Sequence, residues 1–207
     1  STADELARHL KPWLKADDAP WLKHYAPRAL IRPGEPVLAL RREHGQSRAA
    51  HMLWGLLPGW AKDPLTSHRP INARAESIAE KASFRGPWRH HRCLLPSSHF
   101  FEKGHQIGRN DQEIFWLAGL WDRWVGPDGS EVETCCVITT EANALVKPMH
   151  NRMPVIIPNG LEDVWLEPGD KHHRHALEPM LSPLAEQGWS CIPPSGNTSG
   201  AKQLDLL

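Results

Sequence analysis

The chain has 207 residues, 40% of them hydrophobic and 23% charged, with 24 Lys or Arg against 24 Asp or Glu. Those figures suit one globular domain and exclude a wholly disordered chain and a globally basic binder, although a local basic patch stays open. No apolar run reaches the ~18 residues of a membrane helix. Thr2 and Glu5 form a capping box ahead of Leu6, Leu10, Trp13 and Leu14, which predicts a helix over 3–15. A Pro-containing loop follows to Pro36, then short strands at Val37–Leu40 and His51–Leu57, a turn at Pro58-Gly59 and an irregular loop from Pro64 to Ala73. A short helix is expected over Ala75–Ser83 and strand pieces at Cys93–Leu95 and His99–Glu102. Ile114–Trp124 and Glu131–Thr140, joined by Gly-Pro-Asp-Gly, read as a hairpin. Pro154–Ile157 is a further strand, Leu161–Leu166 a short helix, and Trp189–Ile192 a last strand. Between these two, Arg174–Gln187 is a poor helix because it contains Pro179 and Pro183. The expected fold class is α+β: a single domain, 1–207, with many short strands in a curved, barrel-like, mostly antiparallel sheet flanked by short helices.

The first residues lack the charged-then-apolar pattern of an export signal. Cys93, Cys135, Cys136 and Cys191 show no paired spacing, so a cytoplasmic protein is expected.

Three segments place polar side chains between apolar flanks. In Pro70–Glu76, Asn72 and Arg74 share a face if the chain is extended; Arg supplies a planar fork for phosphate and Asn an orienting amide. The other reading is a loop held by its own side chains. In His99–Lys103, Glu102 follows two aromatics, and desolvation there would suit a general acid or base; the other reading is a strand Glu facing water. In Met149–Pro154, His150 can move protons and Arg152 can hold an anion, though a lone His is more often structural. Most tryptophans read as core, Trp116, Trp121 and Trp124 above all; Trp60 and Trp88 are weaker core candidates. The run Arg85–Arg92 sets basic charge beside an aromatic, the combination of a single-strand-binding surface. His90-His91 and His172-His173 with His175 lack metal-site spacing, and no phosphate loop or nucleophile elbow is present.

Read in order, Trp54–Trp60 (WGLLPGW), Ile71–Glu76 (INARAE), Cys93–Pro96, Phe101-Glu102, Ala118–Trp121, Ile138–Asn143 and His150–Val155 (HNRMPV) resemble the SOS response-associated peptidase family. The resemblance implies a sensor of abasic sites in single-stranded DNA that uses no cofactor or metal and acts as a monomer at the nucleoid. It further implies an N-terminal Cys, exposed by autocatalytic removal of the initiator Met, that forms a thiazolidine crosslink with the opened sugar. On the same basis Glu102 is the catalytic glutamate, His150 assists ring opening, and Asn72 positions the N-terminal residue and sugar. Arg74 and Arg152 face phosphates, Trp54 and Trp60 lie near DNA, and Arg89 adds a basic contact from the 85–92 run. The family begins Met-Cys-Gly-Arg and this chain begins Ser1-Thr2-Ala3, so a short leading segment carrying the nucleophile is expected ahead of Ser1. Two departures stand out: Arg28–Pro33 lacks the family's Tyr and Asn, and Lys103 replaces a Trp, removing a stacking surface but supplying a cation. The stretch Pro194–Leu207 matches poorly. A non-catalytic single-stranded nucleic-acid binding module and a metal-dependent hydrolase using the His clusters are the alternatives.

Overall fold

The structure is a computed structural model that describes residues 1–14, 20–65, 67–169 and 171–194. Helix α1 spans Ala3–Leu10 and begins with the expected reciprocal cap: the Glu5 amide donates to Thr2 Oγ1 (3.2 Å) and the Thr2 amide to the Glu5 carboxylate (2.8 Å). It ends short of the expected 3–15 because Pro12 has no N–H to continue the ladder. The expected end at Lys15 and the stretch beyond Pro194 lie outside the described residues.

Strands β1 (Pro36–Glu43) and β2 (Gln46–Trp54) pair along their whole length about a two-residue turn, His44-Gly45, both at positive φ. β1 runs past Leu40 and β2 starts before His51 because their charged ends lie at a barrel rim, and β2 stops at Trp54 rather than Leu57 because Gly55 leaves the strand at positive φ. Next come β3 (Asn72–Arg74), a 3-10 turn over Ala75–Ser77 and helix α2 (Ala82–His90). The single helix expected over 75–83 is thus two elements, and the basic run forms most of the second. Phe84 and Trp88, one turn apart, bury its inner face, so Trp88 is core at 5% exposure. The later strands are β4 (Arg92–Ser97), β5 (His99–Glu102), β6 (His105–Arg109), β7 (Phe115–Val125), β8 (Glu131–Glu141), β9 (Arg152–Pro154), β10 (Ile156–Ile157) and β11 (Trp189–Ile192). Helices α3 (Glu162–Leu166) and α4 (Lys171–Leu177) precede β11; α4 starts earlier than expected and gives way to a 3-10 turn at Pro179. No described helix is long and apolar enough to cross a membrane.

Strands β1, β2, β8, β7 and β4 pair in a ring, β4 closing back on β1. The pairs are antiparallel except β2–β8 and β3–β8, which are parallel. This is the expected single barrel-like sheet; β5, β6 and β11 form a separate three-stranded sheet. Alternation divides the strand residues. Ala39, Met52, Cys93, Leu117, Trp121 and Cys135 pack into the lumen with Phe100 and Ile107 of the small sheet. Leu38, Leu40, Leu94, Trp116, Leu120 and Cys136 face outward beneath α1, α2, α3 and α4. Gly119 of β7 lets the lumen close: a Cβ there would lie 2.8 Å from Cys93 Sγ.

One barrel end is shut by charge. Arg41, 5% exposed, meets Glu133 at 2.8 Å and Glu43 at 3.3 Å, and its guanidinium lies 4.1 Å from the Trp121 ring centroid. Arg123 bridges the same two glutamates. Beside them Arg92 is buried without a carboxylate. Its N–H groups donate to the carbonyls of Trp88 (2.6 Å), Trp165 (2.8 Å) and Glu167, which end α2 and α3. One cation thus serves two helix C-termini, where the macrodipole favours positive charge. Burial lowers its pKa to about 10, so it stays charged at neutral pH. Arg92→Ala is expected to cost on the order of 3 kcal/mol by orphaning these carbonyls, lowering Tm by roughly 6–12 °C. Thermal unfolding followed by circular dichroism checks this; an unchanged Tm would contradict it.

Candidate functional site

The opposite barrel end gathers the polar motifs. β3 pairs with β8 with Asn72 opposite Val137 and Arg74 opposite Thr139. Ala73 is fully buried in the outer core, so Asn72 and Arg74 share the other face, as their spacing implies. Asn72 is half-buried and Arg74 exposed. The strand is held from below: the Ile71 carbonyl accepts from the Val137 amide (3.0 Å) and from the Trp54 indole N–H (3.0 Å). Trp54 itself is 6% exposed. Expected near DNA, it is a core residue whose ring lines the lumen and whose N–H fixes the residue before Asn72.

β9 joins the outer part of β8, with Glu141 opposite Arg152 and Thr139 opposite Pro154. His150 lies just before it. Its Nδ1 lies 3.1 Å from the Arg152 amide nitrogen and 3.4 Å from the Arg152 carbonyl oxygen, so the Arg152 backbone fixes the ring and leaves Nε2 away from this contact. Arg152 turns its fork onto Glu76: Nη1 donates to Oε1 at 2.8 Å and Nη2 to Oε2 at 2.9 Å. Nη2 also donates to the Thr139 carbonyl (2.6 Å) and Oγ1 (3.2 Å). The hydrogen bond from Arg152 holds the Glu76 carboxyl below its ordinary pKa. Glu76 was not among the residues that spacing singled out. Its only sequence signal is its place in INARAE, because its partner is 76 residues away.

Glu102 arrives from the small sheet. It ends β5 at 1% exposure, alternating with Phe100 on the face that meets the lumen cluster. The same cluster contains Val137, the residue opposite Asn72, and Val146, Met149 and Met153 on either side of His150. The reading of Glu102 as a strand Glu facing water is overturned. The chain turns at once through Lys103-Gly104, both at positive φ, and Lys103 is exposed.

Trp60 and Arg89 sit elsewhere. Trp60 is 66% exposed, on a loop pinned by the Gly59 amide to Asp122 (2.8 Å) and by the Trp124 indole to the Ala61 carbonyl (2.7 Å). Trp124 lies opposite Val132, five residues along β8 from Asn72's partner, on the order of 17 Å. Arg89 is exposed near the end of α2, beside the charged barrel end. Among the described residues, no three His, Cys, Asp or Glu side chains converge on a metal-binding point.

A family profile described as "SOS response associated peptidase (SRAP)" matches residues 1–197. The chain is 34% identical over 168 residues to the abasic site processing protein YoqW of Bacillus subtilis, covering 77% of this chain and 75% of that one. It is 37% identical over 153 residues to the abasic site processing protein YoaM of the same organism, covering 70% and 67%. A crystal structure of a Bacteroides thetaiotaomicron protein superposes with a TM-score of 0.78 at 27% identity, covering 92% of this chain and 88% of that one.

A cavity of about 360 Å³ is lined by Ser1, His51, Trp54, His99, Leu117 and Val137. Burial lowers the pKa of His51 and His99, and likewise of His9; His90 is lowered by burial and then by neighbouring cations, His91 first. All four bind protons less readily folded than unfolded. Below the ordinary His value of 6.5 the unfolded chain therefore takes up more protons, and stability falls as pH drops. Tm measured by circular dichroism is expected to be lower at about pH 5.5 than at about pH 7.5, and a level or rising Tm would contradict this.

Proposed function

Because the chain belongs to the SOS response associated peptidase (SRAP) family, we propose that it processes abasic sites in single-stranded DNA by a covalent crosslink through an N-terminal Cys. The observation that supports this reading is that Asn72 and Arg74 on β3 and Arg152 on β9 flank the same end of β8, with His150 just before β9, and that Glu102 is 1% exposed. The chemistry suits these groups. His150 as the imidazolium protonates the sugar ring oxygen while the anomeric hydroxyl gives up its proton to water, which breaks the C–O bond and frees the aldehyde. The α-amine, with an ordinary pKa of ~7.7–8.0, is partly neutral near pH 7 and attacks the aldehyde carbon. The carbinolamine loses water to give an imine. The thiol sulfur then adds to the imine carbon, its proton passes to nitrogen, and a thiazolidine closes. Glu102 relays the protons at the amine, and in self-processing it activates the water that removes the initiator Met. Asn72 orients the sugar, and Arg74 and Arg152 receive flanking phosphates. Trp54 acts by fixing Ile71. The names of YoqW and YoaM as abasic site processing proteins support the reading.

Full-length protein beginning Met-Cys, mixed with single-stranded DNA holding one abasic site, is expected to give a shifted band on a denaturing gel. An intact N-terminal Cys without that band would sink the proposal, and reversible, salt-sensitive binding alone would instead mark a non-catalytic module. Glu102→Ala is expected to retain the initiator Met by mass spectrometry; normal removal would take Glu102 out of that step. His150→Ala is expected to slow crosslinking on the order of 10²-fold, and unchanged kinetics would remove His150 from the mechanism.

A further inference from the structure

Arg152 is the one site cation whose fork is already filled. Glu76 occupies both of its parallel N–H···O positions, at 2.8 and 2.9 Å, and the Thr139 carbonyl takes a further bond from Nη2 at 2.6 Å. A phosphate oxygen pair needs that same bidentate position. The two occupants therefore compete. The Arg152 side chain is 18% exposed and the Glu76 side chain 52%, so the carboxylate is the partner that can swing into solvent while the guanidinium stays anchored on Thr139. Arg74, across β8 from Arg152, is exposed and makes no ion pair among the described residues, although its charge also acts on the Glu76 carboxyl, so its own fork is open to a phosphate.

We propose that Glu76 is a specificity-determining residue: it fills the phosphate fork of Arg152 in the DNA-free protein, and a DNA backbone must displace it. This rests on the reading of Arg152 as a phosphate contact. Exchanging one anion for another at Arg152 yields little net affinity, so undamaged strands are held weakly and released. An abasic strand is retained through the covalent bond, which does not depend on that contact. Glu76 touches no reacting atom; it acts through Arg152.

The experiment measures binding of an undamaged single-stranded oligonucleotide by fluorescence anisotropy over a salt series, with full-length wild type, Glu76→Gln, Arg152→Ala and the double variant. Glu76→Gln is nearly isosteric but cannot fill both fork positions as an acceptor. It is expected to bind about fivefold tighter than wild type. The slope of log K against log salt should steepen by about 0.7, the signature of one more phosphate contact on a single strand. In the Arg152→Ala background the same substitution should change neither. Equal or weaker binding by Glu76→Gln overturns the proposal. So does an equal gain in the Arg152→Ala background, which would make the effect one of general charge. Should Glu76→Gln fail to fold by circular dichroism, Glu76→Asp, with a shorter reach to the fork, is expected to move affinity in the same direction, and no gain would overturn the proposal equally. Crosslinking of abasic DNA by wild type is run alongside. Its absence counts against the proposed function alone, because the clamp is read on undamaged DNA.

Discussion

The molecule depends on the two edges of β8. One edge pairs with β7 over Val125–Gly119, and the other takes the end of β2 and then β3 in parallel. Without the β2–β8 seam the sheet would be open and its edges exposed. With it the sheet becomes a barrel whose β8 residues Thr134–Thr140 are all buried. The seam also decides where the site sits. Where β7 leaves β8, β9 takes over the freed edge, and β3 already lies on the other. Two polar motifs about 80 residues apart in sequence are thereby set on either side of one strand, with Thr139 between Arg74 and Arg152.

The arginines show why zero net charge says little about function. Arg41 is locked between Glu43 and Glu133 over Trp121, and Arg92 among carbonyls at two helix ends. Both are buried and engaged inside the fold, Arg41 by carboxylates and Arg92 by carbonyls. Arg152 is anchored on Thr139 but holds an exposed carboxylate, and Arg74 is exposed. The same side chain is structural, conditional or available according to what fills its fork, and only the structure tells these apart.

The β7–β8 hairpin was legible because its apolar runs flank a Gly-Pro-Asp-Gly turn, and α1 because its capping box is local. Trp116, Trp121 and Trp124 read correctly as core. Strand β6 was hidden, since Ile107 is its single fully buried side chain. The outer half of the β1–β2 hairpin was hidden because Arg41 and Glu43 look solvent-facing until Arg123 and Glu133 arrive from other strands. Helix α2 was hidden by its own charge. At the site, the shared face of Asn72 and Arg74 follows from strand alternation alone. The Glu76–Arg152 pair and the burial of Trp54 do not, because each needs a partner that only the topology supplies.

Glu102 shows how far a local turn can set chemistry. A carboxylate at the end of a two-stranded edge would ordinarily be solvated. Here Phe100, two residues earlier on the same face, is drawn into the lumen cluster and takes Glu102 with it. The Lys103-Gly104 turn then reverses the chain immediately, so β6 covers the strand while Lys103 is left in solvent. The cation at position 103 therefore changes the exposed surface more than the interior that holds the carboxylate. Residue 103 can therefore vary without moving the carboxylate, because Phe100 and the turn keep the position of Glu102 fixed.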